Sequence, residues 1–126
     1  MNYSPVIVAG GSLIGTSRFN TVTLNSGSLA PVNSSGEPGH LNITNSLTLN
    51  SGSIDIDITN AVYAGGNQSW DSIRVNNGSG SVTLGSGVTT INLSYASANL
   101  PNFSGFDAES WLIVNAGSVS GFSASK

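Results

Sequence analysis

Ten residues starting at Asn20, Asn-Thr-Val-Thr-Leu-Asn-Ser-Gly-Ser-Leu29, return 25 residues later as Asn45-Ser-Leu-Thr-Leu-Asn-Ser-Gly-Ser-Ile54, with seven of ten positions identical. A shorter copy follows as Ser81-Val-Thr-Leu-Gly-Ser-Gly87. Similarity at a fixed period of about 20–50 residues marks architectures in which one unit cannot bury its apolar face until the next stacks on it. Each copy alternates apolar and polar residues, the period-2 pattern of a half-buried strand, and then reaches a Gly-containing turn. If the copies stack, residues one period apart lie above one another. Val22 then meets Leu47, Leu24 meets Leu49, Leu29 meets Ile54, and Asn25 and Asn50 form an amide ladder. The expected fold is therefore all-β, a parallel β-helix (β-solenoid) of about five coils of ~25 residues, on the order of 25 Å tall at about 4.8 Å per coil. An antiparallel sandwich is the competing arrangement for short strands with many Gly turns.

The remaining segments fit the same scheme. Pro5–Ala9 reads as a short strand ended by Gly10-Gly11, and Ser12–Gly15 as a second piece. Ala30–His40 holds two prolines and two glycines before His40 and reads as a loop. Leu41–Ile43, Leu47–Leu49 and Ile54–Ile58 are strands, the last with three isoleucines on one side and Asp55 and Asp57 on the other. Val82 stands 35 residues after Leu47, ten more than the period, and the excess is assigned to an insertion at Ala61–Ser69. Ile73–Val75, Val82–Leu84, Ile91–Leu93 and Trp111–Val114 complete the strands. No segment has sustained helical spacing, and residues 1–126 read as a single domain.

Composition excludes several functions. Charged residues are 7% of the chain, and three Lys or Arg against six Asp or Glu leave a formal net charge of −3. No basic field exists to meet a phosphate backbone, so no nucleic-acid partner is expected. The chain has no cysteine, hence no disulfide framework and no thiolate metal site. No apolar run reaches the roughly 18 residues that span a bilayer, so no membrane insertion of this segment is expected. The start of the chain lacks a basic n-region and does not read as a signal peptide. It reads instead as a segment of a longer exported protein with Met1 added.

Few side chains suggest chemistry. Asp55, Asp57 and Asp71 are the candidate carboxylates, yet calcium sites want six to eight oxygens, and glycosidases two carboxyl groups across a sugar-sized cleft. His40 is the only histidine, with no second zinc ligand, and reads as a loop residue. Trp70 and Trp111 offer sugar-stacking faces or core cover. Gly10-Gly11 and Gly65-Gly66 precede no helix and make no phosphate cradle. Seven N-x-S/T sequons, at Asn2, Asn33, Asn42, Asn67, Asn77, Asn92 and Asn102, follow from the Asn- and Ser-rich composition. The expectation is no enzyme, with no catalytic, cofactor-binding or metal residues and no cofactor.

In order along the chain, the segments resemble a known family. Gly27-Ser-Leu-Ala-Pro-Val-Asn-Ser-Ser-Gly36 resembles the GGxLxPGNSxG turn of autotransporter passenger domains, in the autotransporter-associated β-strand repeat and pertactin-like families. Leu41–Ile43, Ser46–Leu49 and Ile54–Ile58 resemble the strands that follow that turn. Trp70-Asp-Ser-Ile-Arg-Val75 resembles an sDxLxV strand, and Trp111–Phe122 the family's closing segment. Val32 departs from the usual Gly, and Glu37-Pro38-Gly39 lengthens the turn. The resemblance spans roughly Asn20–Phe122. It implies a right-handed parallel β-helix and a C-terminal stalk, spacer or folding template of a bacterial surface or secreted protein, located outside the cell. Two alternatives stand beside it: a subunit stacking end to end into extracellular filaments through open strand edges, and a carbohydrate-binding or carbohydrate-active β-helix. The expected partners are accordingly other copies or adjoining coils, with surface glycans as the remaining candidate.

Overall fold

The computed structural model describes residues 4–32, 38–59, 70–94 and 112–121. Their strands are β1 (Val6–Ile14), β2 (Arg18–Ala30), β3 (His40–Leu49), β4 (Gly52–Asp57), β5 (Ser72–Val75), β6 (Ser81–Leu84), β7 (Thr89–Ser94), β8 (Val114–Asn115) and β9 (Ser118–Ser120). A single 3₁₀ turn, Asn76–Gly78, joins β5 to β6, and the described residues contain no α-helix. All nine strands belong to one sheet, which curls into a half-barrel around the core. Every ladder between them is parallel. Among the described residues the only antiparallel pairings are the isolated bridges Val32–Pro38 and Ile58–Trp70. An antiparallel sandwich is thereby excluded.

The repeat sets the register. Val22 pairs with Leu47, Leu24 with Leu49 and Leu29 with Ile54. On the exposed side, Asn50 Nδ2 donates to Asn25 Oδ1 at 2.7 Å. One aliphatic file runs Val6, Val22, Leu47, Val82, Val119 through five successive strands. Parallel to it run Phe19, Ile43, Val75 and Leu13, Leu29, Ile54, Ile91. The middle members, Val22, Leu47, Val82, Ile43, Leu29 and Ile54, are all buried. Burying a side chain of this size contributes about 1.5–3 kcal/mol, so these files hold the sheet curled.

Three expectations need correction. First, Ser26-Gly27 and Gly10-Gly11 do not end strands; they lie inside β2 and β1. Leu24 and Leu29 are an odd number of residues apart and would face opposite sides of a regular strand, yet both are buried. Gly27, at φ +91°, bends the strand and resets the alternation. A Cβ there would sit 2.1 Å from the Gly11 carbonyl oxygen, and one on Gly52 (φ +120°) 2.6 Å from that of Gly27. The corner is a file of its own, and only glycine fits it.

Second, the insertion is divided. Ile43 pairs with Val75 at an offset of 32, and Ser46 with Ser81 at 35. Three of the ten extra residues therefore lie between Val75 and Ser81, around the Asn76–Gly78 turn. Offsets elsewhere also differ from 25: Val6 meets Val22 at 16, and Val82 meets Val119 at 37. Third, His40 is not a loop residue; it opens β3 opposite Ser72. The segments around Gly65-Gly66, Ser97–Asp107 and Trp111 lie outside the described residues.

Candidate functional site

The polar groups that chemistry would need are reached by three routes through the fold. The carboxylates come first. In β4 the isoleucines turn inward and Asp55 and Asp57 outward, as the alternation requires. There each is tied to the strand stacked on it: Asn92 Nδ2 donates to Asp55 Oδ1 at 2.8 Å, and Ser94 Oγ donates to Asp57 Oδ1. Asp71 behaves differently, being 1% exposed. Its Oδ1 accepts the Gly39 backbone N–H at 2.8 Å and its Oδ2 the Asp57 backbone N–H at 3.0 Å. One carboxylate thus joins the residue before β3 to the end of β4. Burial raises its pKa, the two N–H donors oppose that rise, and the nearby Asp57 charge adds to it. The structure does bring Asp57 and Asp71 together, but through a backbone N–H and not as facing carboxyl groups. Among the described residues no group of three His, Cys, Asp or Glu could hold a metal.

The second route leads to the outward side of β2, β3 and β5. His40 Nδ1 and Ser72 Oγ lie 2.8 Å apart. Sequence reasoning could not pair them, because they are 32 residues apart and meet only through the parallel register. Ser72 is buried, so its hydroxyl is closed to a substrate, and the pair acts as a strand-to-strand tie. Burial, and then the Arg74 guanidinium, lower the His40 pKa below its ordinary value. On the same side Arg18, Asn42, Arg74 and Asn115 stack in one file. Beside it a small cavity of about 80 Å³ is lined by Arg18, Asn42, Ile43, Thr44, Arg74, Asn76 and Asn77.

Third are the ends and the indoles. Trp70 is buried in the core, its Nε1 donating to the Leu112 carbonyl at 3.2 Å, so it covers the core and presents no face to a sugar. The β1 edge carries the exposed side chains Ile7 and Ile14. At the other end Val88, Ile91, Leu93 and Val119 are exposed. There an apolar cavity of about 360 Å³ opens between Leu49, Ile54, Val82, Leu84, Ile91 and Val119. Of the sequons, Asn77 and Asn92 are exposed and Asn42 is half-buried; the other four lie outside the described residues.

No family model, curated protein or solved structure matches the chain. Among the described residues no helix is long and apolar enough to cross a membrane.

Proposed function

We propose that the chain is a run of right-handed parallel β-helix, about five coils, serving as a structural, non-catalytic element of a bacterial surface or secreted protein: a stalk, spacer or folding template. The observation that carries this reading is the unbroken Val6–Val22–Leu47–Val82–Val119 file. It has the form of a rod interior, in which each unit buries its neighbour and the chain extends by repetition. The roles of the acids agree with it. Asp55 and Asp57 bond to neighbouring strands and Asp71 to backbone, so all three serve the stack. The surface location and the handedness rest on the resemblance to autotransporter passenger segments. Antibody raised against the chain tests the location. Labelling of intact source cells, or capture from their medium, is the expected result. Signal only after permeabilisation would overturn it.

A second reading, end-to-end assembly into filaments, is favoured by the apolar side chains at both ends. Ile7 and Ile14 lie along β1, while Ile91, Leu93 and Val119 lie on β7 and β9. Unpaired strand edges template further strands, and a head-to-tail contact that does not close makes a fibre. Negative-stain images of the purified chain separate the readings: isolated stubs support the first, and fibres abolished by Ile7→Lys support the second.

A further inference from the structure

The positive charges among the described residues are not scattered. Arg18 and Arg74 both lie on the outward side of β2 and β5, beside the His40 imidazole of β3, whose pKa is lowered by burial and by Arg74. Asp55 and Asp57 project from β4, where they bond to β7, and the Asp71 carboxylate is covered. Among the described residues the two arginines thus share one face, away from the described carboxylates. Parallel register places Arg18, Asn42 and Arg74 in a single file, so the two arginines start about 9–10 Å apart, two strand spacings. Both line the 80 Å³ cavity together with Asn42, Thr44, Asn76 and Asn77; Asn42 Nδ2 donates to the His40 carbonyl at 3.2 Å and Thr44 Oγ1 to the Phe19 carbonyl at 3.3 Å, which leaves their oxygens as acceptors. Among the described residues no carboxylate pairs with Arg74.

The wall of this cavity is made by unusual backbone. Asn76 and Asn77 have φ of +46° and +52°, followed by Gly78 at +91°. Left-handed conformation at successive residues other than glycine is uncommon and costs free energy. The turn is held by Ser79, whose N and Oγ donate to the Asn76 carbonyl at 3.0 and 2.7 Å, and by Gly80 N donating to the Val75 carbonyl at 3.0 Å. In the strand below, β3 passes from Ile43 to Leu47 with no such turn. The three extra residues are therefore not needed to complete the ladder, and their place is beside the arginines. Strained backbone held by its surroundings is a mark of ligand sites.

We propose that this cleft binds a carboxylate group of an acidic polysaccharide, a uronic-acid chain. Arg18 and Arg74 hold the carboxylate through charge-assisted hydrogen bonds, and the Asn42 and Thr44 oxygens accept from the flanking sugar hydroxyls, while Asn76 and Asn77, whose amides both donate and accept, take the others. The same face suits nucleic acid poorly. Two guanidinium groups are too few for a phosphate backbone, and no aromatic side chain of the described residues offers a stacking platform on this side.

The test is calorimetric titration of the whole chain with a short oligogalacturonate at low and at physiological salt. Saturable binding that weakens with salt is expected, falling about tenfold or more in Arg74→Gln and in Arg18→Gln. Arg74→Lys should lose less. Thr90→Ala, on another face, should bind as the unaltered chain does. Circular dichroism checks that each variant folds; if Arg74→Gln does not, Arg18→Gln decides, because Arg18 is exposed. The proposal is overturned if oligogalacturonate does not bind or if the arginine variants bind equally well. It is equally overturned if the carboxyl-reduced oligosaccharide, inorganic sulfate, a sulfated dextran or single-stranded DNA binds as tightly.

Discussion

Replacing Asp71 should expose how much a single covered carboxylate holds in place. Its two oxygens accept the backbone N–H groups of Gly39 at 2.8 Å and Asp57 at 3.0 Å, and it is 1% exposed, so water does not replace it readily. Leaving a buried donor unpaired costs about 1–3 kcal/mol. Asp71→Ala strands the buried Gly39 donor and leaves the part-covered Asp57 donor to water, so a loss of about 1–3 kcal/mol is expected, and Asp71→Asn, which keeps one acceptor, should lose less. The charge works against the fold at the same time. Because burial raises the folded-state pKa, the folded chain holds this proton at pH values where the unfolded chain has released it. The contribution of the protonated group is complete below the unfolded-state value and is lost as pH rises through the raised folded one. Relative to Asp71→Asn, the unaltered protein should therefore lose part of its advantage as pH rises through that window. Urea unfolding at 25 °C, followed by far-UV circular dichroism at a series of pH values above about 3.5, measures both effects. A loss below about 1 kcal/mol for Asp71→Ala, or an advantage that grows with pH, would refute the reasoning.

Three further outcomes follow from the same geometry. Leu47→Ala, in the middle of the aliphatic file and fully buried, should cost about 2–5 kcal/mol, whereas Thr48→Ala on the outward side should cost no more than about 0.5 kcal/mol; urea midpoints compare them. Gly27→Ala meets both a φ of +91° and the Gly11 carbonyl, so it should destabilise more than Gly15→Ala, which shares a positive φ (+125°) but whose Cβ meets nothing within 4 Å; thermal melts of the two variants show the order. His40 should titrate below its ordinary pKa, and Arg74→Gln should move it upward by removing the neighbouring positive charge; proton NMR of the imidazole reads both shifts.

What could be read from residues alone was the part repeated in them. The register of β2 against β3 and β4, the inward isoleucines of β4 and the Asn25–Asn50 contact all follow from one 25-residue echo. Where the echo fades, inference faded with it. His40 looked like a loop residue because its partner, Ser72, is 32 residues away and no local pattern announces it. Asp71 was only one of three candidate carboxylates, because binary pattern says nothing of backbone donors converging from two other segments. The glycine corners were mistaken for strand ends, since a Gly that bends a strand and a Gly that terminates one look alike in sequence. The small cleft beside Arg18 and Arg74 was not foreseen: the Asn-Asn-Gly run marks a turn after Val75, but the three extra residues there show only in the register.

Every functional reading above depends on strands stacking in parallel with the register Thr23–Thr48–Thr83 on the outer face. The chain has no cysteine of its own, so paired cysteines report that register cleanly. Adjacent strands stand about 4.8 Å apart, inside the Cα separation of about 4.4–6.8 Å that a disulfide accepts. Thr48→Cys with Thr83→Cys should therefore oxidise to a monomeric disulfide, and Thr48→Cys with Ser81→Cys, displaced two residues along the strand, should not. Equal cross-linking of the two pairs, or a preference for the displaced one, would contradict the stack itself.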